Sequence, residues 1–443
     1  LDTWSKKDIL FVYITHLHWD HFHGPTLRSI TKNCKNSIFL IPETPEPRLR
    51  KDLASVVGKD KDIKELTHAK WFNISSELSL LSFQTGIGFA DSILSISVSG
   101  KNILNMNDAK ILPLSESHLL SLVPKPNYVL RSHSSANDRC CFRNQEGKKL
   151  DKFDKNRLQY SIEFFNSCYA TGAEFAIPFA SNMSCLHRET FQYNSILNFS
   201  DYVYKDFQKI SSEYPGMKCQ LLFPSEKILL SNNELVKNTS LRQRLNLKSR
   251  DEMLREYQLL KKDTLEKQYK IEKKELFSPK LVEKYFNNVI KQTPIFIKLY
   301  LRNHINFEVS TDKELKLFCI DFLSGKVRNL SSIKKSNNTI IVRVKAHVIN
   351  DVCKKSNYNS LGVSKRLEVL MRYDNNRYGI FNTLCNVTET GSFIPLKNIL
   401  RKKYFSIWLR RYLEILDVAF YLINSFIHSK KPLYILESPK KRK

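Results

Sequence analysis

Four side chains near the start of the sequence are of the kinds that bind metal ions in enzymes. His16, His18, Asp20 and His21 form a His-x-His-x-Asp-His pattern directly after an apolar run, Ile9 to Ile14. Alternation along an extended segment places His16 and His18 on the same side, and the next two follow where the chain turns. Imidazole and carboxylate ligands suit zinc, and also iron or manganese. With only 11 His among 443 residues, the pattern predicts a metal site, and a histidine-rich surface loop without metal is the alternative.

The ten residues from Thr15 to Gly24 resemble the first metal motif of the metallo-β-lactamase superfamily. The fold of that family is an αββα sandwich with its metals at one end of two packed sheets. The resemblance implies two further ligands. Asp108, in Asn105-Met-Asn-Asp108, is the candidate for the bridging aspartate, and His187, after the strand-like Glu174 to Ala180, would close the second metal position. All these side chains are then expected around one cleft.

One ligand of the family has no counterpart in this sequence. The family places a third histidine a few residues before the strand that begins near Asp91, where this chain has Gly86-Ile-Gly-Phe89. The metal position served by His16 and His18 therefore lacks one ligand. A single metal ion, a water-rich second position and recruitment of another side chain are the alternatives. His133 is the candidate recruit, although a lone histidine is more often an ordinary hydrogen-bonded residue.

The order of the later features is similar to that in the metallo-β-lactamase-like part of CMP-N-acetylneuraminate hydroxylase and its relatives. These features are Ile103 to Asp108, a helix near Asp154 to Ala170, Pro178-Phe-Ala180 with His187 nearby, and Leu222-Phe-Pro224. The hydroxylase also has a Rieske domain, which needs paired Cys and His ligands. This sequence does not contain two such pairs.

Composition narrows the protein class. The net charge of +27 would suggest an anionic partner, but the basic residues are spread along the chain, which favours general bias over a binding face. Nine cysteines without a Cys-x-x-Cys pair favour reduced thiols in a cytoplasmic protein. The sequence has no leader-like start, and its longest apolar stretch near the end, Tyr412 to Phe426, is broken by Glu414, Asp417 and Asn424, so neither a signal peptide nor a membrane span is expected. The segment Ser438 to Lys443 resembles a nuclear-import signal, but the interpretation as a solvated basic tail is favoured.

Hydrophobic patterning predicts three regions, and the fold class is α+β. Residues 1–240 are predicted to form the metallo-β-lactamase-like αββα sandwich, N-terminally incomplete because the family sets several strands before its first motif. Residues 241–292 are predicted as a helical connector, in which a capping box at Ser249 to Glu252 opens a long charged helix to about Glu275. Residues 293–443 are predicted as an α+β accessory domain. Its predicted strands are Phe296 to Tyr300, Phe307 to Val309, Leu315 to Phe322 and Thr339 to Val344.

The motif and the resemblance lead to three functional hypotheses. The first is a metal-dependent hydrolase, or a hydroxylase-related enzyme, that uses one or two zinc ions on an anionic small molecule such as a nucleotide sugar or phosphosugar. Asp20 would orient the attacking water or act as base. The second is a nuclease or phosphodiesterase on RNA or DNA, since tRNase Z shares the first motif and a basic protein suits a polyanion. The third is a non-catalytic scaffold, and no motif for another cofactor is apparent.

Overall fold

The computed structural model describes residues 9–18, 20–86, 91–134, 138–150, 156–246, 248–372, 376–390 and 401–427. The strands in these ranges are β1 (Leu10–Tyr13), β2 (Ser37–Pro42), β3 (Ile63–Leu66), β4 (Trp71–Asn73), β5 (Leu78–Thr85), β6 (Asp91–Val98), β7 (Lys101–Asn107), β8 (Tyr128–Arg131), β9 (Phe142–Arg143), β10 (Phe175–Pro178), β11 (Lys218–Cys219), β12 (Lys227–Leu229), β13 (Glu234–Val236), β14 (Ile305–Ser310), β15 (Leu315–Asp321), β16 (Lys326–Asn329), β17 (Ile340–Lys345) and β18 (Leu367–Leu370). The helices are α1 (Gly24–Asn33), α2 (Arg48–Val57), α3 (Pro113–Leu122), α4 (Arg157–Ala170), α5 (Ser200–Ile210), α6 (Thr239–Asn246), α7 (Arg250–Leu260), α8 (Lys262–Lys274), α9 (Pro279–Gln292), α10 (Ile295–Leu301), α11 (Ala346–Lys355), α12 (Asn359–Ser364), α13 (Asn376–Thr390), α14 (Lys402–Arg410) and α15 (Tyr412–Ile427).

Two sheets in the first half of the chain pack face to face. One is parallel, with the order β1-β2-β3, and the other has the order β11-β10-β8-β7-β6-β5-β4. Leu40 and Leu66 of the first sheet lie in one apolar cluster with Leu80 and Leu94 of the second. Side chains on a strand alternate between its two faces. The apolar residues at every second position of β5 therefore fill the layer between the sheets.

Helices cover the outer face of each sheet. Leu27 of α1 and Leu53 of α2 pack against Phe39 of β2. On the far side, α3, α4 and α5 bury apolar side chains against the alternate residues of β5 and β7, such as Leu81 and Leu104. β5 is covered on both faces, because Leu80 packs in the layer between the sheets and Leu81 packs against the helices. The order helix, sheet, sheet, helix is the αββα sandwich of the metallo-β-lactamase-like fold, so the predicted fold class is confirmed.

The loops that carry the candidate ligands leave one edge of this sandwich. β7, β8 and β10 are neighbouring parallel strands, so their carboxyl ends lie side by side, and Asp108 directly follows β7. The first motif follows β1. Its start is joined to the larger sheet because the Ser92 hydroxyl of β6 donates to the carbonyl of Thr15 at 2.7 Å. The sandwich thus brings residues distant in sequence to one edge.

A third sheet organises the C-terminal half, with the order β16-β15-β14-β17-β18-β9. Its core includes Phe307 and Phe318, and Val282 and Phe286 of α9 pack into the same cluster. β9, which comes from the first half of the chain, pairs in parallel with β18. α9 and β9, which come from the segments predicted as the connector and the sandwich, therefore both pack in the C-terminal core.

Two details of the predicted secondary structure differ from the structure. The segment Phe296 to Tyr300, predicted as a strand, lies in helix α10. A short apolar run does not distinguish strand from buried helix, and Pro294, at the N-cap, favours a helix start. The capping box forms as predicted, since Ser249 accepts from the Glu252 backbone and Glu252 from that of Ser249. The helix that it opens is interrupted at Lys261.

The C-terminal helices return to the sandwich. The carboxylate of Asp417 on α15 accepts hydrogen bonds from the backbone of Leu114 at 3.0 Å and of Ser115 at 2.9 Å. These amides are in the first turn of α3, where a carboxylate also interacts favourably with the helix dipole. On α14, Lys403 pairs with Glu65 at 2.9 Å. Within the described ranges, no helix is both long and apolar enough to span a bilayer.

Candidate metal centre

Two histidines of the first motif and one distant aspartate form a compact set of ligand atoms. His16 Nε2 lies 2.7 Å from His18 Nδ1. One ligand atom from each of His16, His18 and Asp108 lies within 4.8 Å of the others. Elsewhere in the part of the chain that the structure describes, no other group of His, Cys, Asp and Glu meets this spacing. Two nitrogens and one oxygen at this separation suit a single ion of the zinc, iron or manganese type.

The remaining residues of the motif lie beside the same carboxylate. His21 Nε2 is 3.2 Å from Asp108 Oδ1 and 3.8 Å from Asp20 Oδ2. The ring of His21 also lies next to that of His16, with centroids 4.1 Å apart, so Asp108 is close to both the His16–His18 pair and His21. The structure thus brings together five predicted site residues, and their role as ligands remains a prediction. We call His16, His18, His21 and Asp108 the metal-centre cluster.

Burial controls the charge of the histidines in this cluster. It lowers the pKa of His16 to about 4 and also lowers that of His18, although nearby carboxylates oppose the shift. Burial acts in the same direction on His21, but the hydrogen bond and charge of Asp108 outweigh it and raise the His21 pKa. His16 and His18 are therefore neutral near pH 7, and metal ligation requires neutral imidazole.

Asp91, the first residue of β6, completes the surroundings of His16. Its Oδ1 is 3.3 Å from His16 Nδ1, and burial, followed by the charge of Asp108, raises the pKa of Asp91. Oδ1 of Asp91 and Oδ1 of Asp108 are buried, and each lies close to an imidazole nitrogen, that of His16 and that of His21 respectively. Buried carboxylate oxygens beside imidazole nitrogens form a donor set that fits a cation. The sequence interpretation missed Asp91, although an acidic residue at the start of a buried strand was a detectable signal.

The backbone around Asp108 is fixed by Asn107. Its Oδ1 accepts from the backbone of Asp108 at 2.6 Å and of Ala109 at 2.9 Å, and its Nδ2 donates to the carbonyl of Ser92 at 2.8 Å. Asn107 has a φ of +41° at an irregularity in the pairing of β7 with β8. Such left-handed backbone is more common for Asn than for most residues, and it directs the following residue away from the strand.

His187 lies in a different set of charged side chains. Its Nε2 is 3.3 Å from Glu272 Oε2 on α8, and its Nδ1 is 3.7 Å from Glu189 Oε2. Arg366 donates to both oxygens of Glu272, at 2.7 and 2.9 Å, and His347 Nε2 is 3.3 Å from Glu272. We call these five residues the junction cluster. The structure therefore does not bring His187 to the metal-centre cluster, because the long helix α8 supplies its partner instead.

His133 is also not grouped with His16 and His18. It follows β8 and is 2% exposed. Its ring lies edge-on to Phe164, with centroids 6.3 Å apart, and Asn198 Nδ2 donates to its backbone carbonyl at 3.0 Å. Burial lowers the pKa of His133 to about 4. Residues 87–89, which belong to the stretch where the third histidine of the family is absent, lie outside the described residues. The basic segment Ser438 to Lys443 also lies outside them.

Comparisons with known proteins give partial similarities. No family model matches the chain. A putative Rieske 2Fe-2S iron–sulfur protein of Mycolicibacterium smegmatis is 27% identical over 123 residues, which are 27% of this chain and 23% of that protein. The chain thus matches less than a quarter of the length of this relative.

Three solved structures share part of the architecture. The metallo-β-lactamase fold protein YhfI from Bacillus subtilis has a TM-score of 0.32 and 8% identity, covering 52% of this chain and 79% of YhfI. Zinc-bound PqqB from Methylobacterium extorquens has a TM-score of 0.22 and 18% identity over 29% and 44% of the two chains. The short form of human tRNase Z has a TM-score of 0.27 and 13% identity over 40% and 74%.

Proposed function

We propose that this chain is a metal-dependent hydrolase that acts on an anionic small molecule such as a nucleotide sugar or phosphosugar. The observation that carries the proposal is the convergence of His16, His18 and Asp108, with His21 beside both Asp108 and His16. Zinc is the proposed ion, with iron or manganese as alternatives, since nitrogen and oxygen ligands serve all three. The likeness to CMP-N-acetylneuraminate hydroxylase relatives remains a sequence-based prediction.

Each residue has a defined part in this proposal. His16 Nε2, His18 Nδ1 and Asp108 would hold one ion, and His21, Asp20 and Asp108 would hold a second. A bound ion supplies Lewis acidity, which makes water a stronger acid and stabilises negative charge that develops on the substrate. The side chain of Asp20 is 55% exposed, so it can reach a substrate and accept the proton of the attacking water.

The surroundings of the cluster favour a negatively charged substrate. Lys110 is exposed, lies two residues after Asp108 and is close enough to Asp91 to lower its pKa. A lysine at the entrance of a metal site can pair with a phosphate or carboxylate that does not itself react. Lys110→Ala is therefore expected to raise KM for an anionic substrate more than it lowers kcat.

Metal content is the direct test of the proposal. Elemental analysis after zinc reconstitution and desalting is expected to give one or two equivalents per chain. Asp108→Asn should lose zinc, because it removes the carboxylate that both positions share. Asp201→Asn, which changes a carboxylate paired with Arg250 elsewhere in the sandwich, serves as a control and should retain it. Unchanged protein without zinc, iron or manganese would favour the non-catalytic scaffold.

Hydrolysis is tested on a panel of nucleotide sugars, sugar phosphates and activated phosphodiesters. We expect metal-dependent turnover of at least one compound, and a decrease of roughly 10²–10⁴-fold in kcat for Asp20→Asn if Asp20 acts as the base. The variant should still bind zinc at the His16–His18 position. A metal-loaded protein that hydrolyses nothing on the panel would contradict the small-molecule proposal.

A nuclease is the second candidate, and the net charge of +27 is the observation that favours it. Binding of a polyanion through many phosphates weakens steeply as salt concentration rises, whereas binding of one small anion responds much less. Metal-dependent cleavage of labelled RNA or DNA with a steep salt dependence would replace the first proposal with this one. Absence of nucleic-acid binding at low salt would remove it.

A further inference from the structure

The hydroxyl group of Thr15 contacts two histidines of the metal-centre cluster. Thr15 Oγ1 is 3.0 Å from Nδ1 of His16 and 3.0 Å from Nδ1 of His21. Thr15 itself is 8% exposed. The other ring nitrogens face the proposed ions, because His16 Nε2 adjoins His18 and His21 Nε2 adjoins Asp108.

This geometry determines where each ring must carry its proton. A neutral imidazole that binds metal through Nε2 holds its hydrogen on Nδ1, and the partner of Nδ1 sets that tautomer. A hydroxyl oxygen has two lone pairs, so it can accept a hydrogen bond from two N–H groups at once. Thr15 Oγ1 is therefore able to accept from both Nδ1–H groups and to leave both Nε2 lone pairs for metal.

The residue is held rigidly enough to act in this way. The carbonyl of Thr15 accepts from Ser92 Oγ at 2.7 Å, and Ser92 Oγ is in turn 2.6 Å from the hydroxyl of Tyr13. Tyr13 also hydrogen-bonds to Ser82 of β5 at 2.8 Å. These bonds connect the two sheets directly beneath the motif, so the position of Thr15 is fixed from three strands.

We propose that Thr15 is a positioning residue that orients one histidine in each of the two metal positions and thereby couples them. The inference rests on the proposed metal centre. It predicts an asymmetry between the two positions. His16 Nδ1 has a second nearby acceptor in Asp91, at 3.3 Å, whereas Thr15 is the hydrogen-bond partner of His21 Nδ1 among the described residues. Loss of the hydroxyl should therefore weaken the position of His21 more than that of His16.

Thr15→Val tests the inference, because valine has the shape of threonine without the hydroxyl. We expect Thr15→Val to lower zinc affinity by roughly 10–100-fold, as for other changes behind a metal ligand, with the larger loss at the position of His21. Thr15→Ser keeps the hydroxyl and should restore the affinity. Thr26→Val is the matched control, since Thr26 Oγ1 hydrogen-bonds to the exposed, non-ligand His23 in the same loop at 2.7 Å. Affinities are measured by zinc titration against a chromophoric chelator.

Two results would overturn the inference while leaving the metal centre intact. One is Thr15→Val binding zinc as tightly as the unchanged protein, and the other is Thr15→Ser binding as weakly as Thr15→Val. Nitrogen NMR of the unchanged protein, labelled at histidine, is independent of whether the variants fold. Zinc-loaded protein should show slowly exchanging Nδ1–H protons on His16 and His21, and their absence would also overturn the inference. Failure of the unchanged protein to bind zinc would instead defeat the proposed function. In that case the NMR signal of the His16 Nδ1–H proton in metal-free protein would still test the role of Thr15.

Discussion

The metal-centre cluster and the junction cluster contain the same kinds of side chain, but the groups that surround these side chains differ. Each has histidines within hydrogen-bond distance of a buried or half-buried carboxylate. In the junction cluster, Arg366 donates to both oxygens of Glu272 and lies 2.8 Å from His347 Nε2. In the metal-centre cluster, the buried Oδ1 of Asp108 lies 3.2 Å from His21 Nε2, an imidazole rather than a guanidinium nitrogen.

The difference shows what separates a metal site from a salt-bridge network. Both need buried lone pairs, but a guanidinium group uses those lone pairs and supplies the positive charge itself. A group of histidines and carboxylates without such a cation lacks positive charge, which a bound metal ion can supply. Sequence spacing does not reveal this, because Arg366 is far along the chain from His187. The following variants test this difference between the two clusters.

The largest expected effect is on metal binding. His18→Ala should abolish stoichiometric zinc binding, because removal of a ligand costs more than the roughly 10–100-fold loss for a residue behind it. His187→Ala should leave zinc binding unchanged, since its contacts lie in the junction cluster. Isothermal titration of metal-free protein with zinc compares the two. Equal losses in both variants would show that His187 is a ligand after all.

The next effect is on stability. Arg366→Met leaves Glu272 buried without its cation, and breaking such a pair should lower the free energy of unfolding by about 3 kcal/mol. Replacement of both partners, in Arg366→Met with Glu272→Gln, should recover part of the loss because no uncompensated charge remains. Urea unfolding measures both variants, and zinc affinity should be unchanged in each. A larger defect in the double variant than in Arg366→Met would contradict this account.

Acidification should weaken the junction cluster. Burial, together with the charge of Arg366, lowers the pKa of His187 and His347 below 6.5, so the unfolded chain takes up protons first as the pH falls. Their contribution to stability is complete above about pH 6.5 and decreases below it. Burial would raise the pKa of Glu272, but Arg366 lowers it to about 2, so its contribution is lost only as the pH falls from about 4.5 toward 2.

This pH dependence is measured by urea unfolding at about pH 7.5 and about pH 5.5. The histidines of the metal-centre cluster also titrate, so the comparison is made between the unchanged protein and a variant with His187→Gln and His347→Gln. The variant should lose less stability on acidification than the unchanged protein. An equal loss in both proteins would assign the pH dependence to another region.

The smallest expected effect concerns His133. His133→Asn keeps a polar side chain at a buried position and should leave zinc affinity unchanged, because the structure does not group His133 with the metal-centre cluster. Zinc titration in parallel with His18→Ala provides the scale. A loss as severe as that of His18→Ala would revive the recruitment of His133 as the replacement for the absent histidine.

The sequence predicted those parts of the site that are encoded locally or by resemblance. The first motif lies in one loop after one strand, so spacing alone placed four of its side chains near each other. Asp108 was predicted through the family pattern, and it lies beside the first motif. Asp91 and the contact of His187 with Glu272 were not predicted, because both depend on packing between distant segments; Glu272 is 85 positions from His187. The same reason explains why β9 was not assigned to the C-terminal sheet.

The contact between Asp417 and the first turn of α3 has a consequence for biosynthesis. The two partners are about 300 positions apart in the sequence. At a synthesis rate of roughly 5–20 residues per second, α3 leaves the ribosome about 15–60 seconds before the side chain that caps it. The start of α3 must therefore stay open to water or to a chaperone while the residues between it and Asp417 are made. The edge of the sandwich reaches the form described above only once α15 has been made.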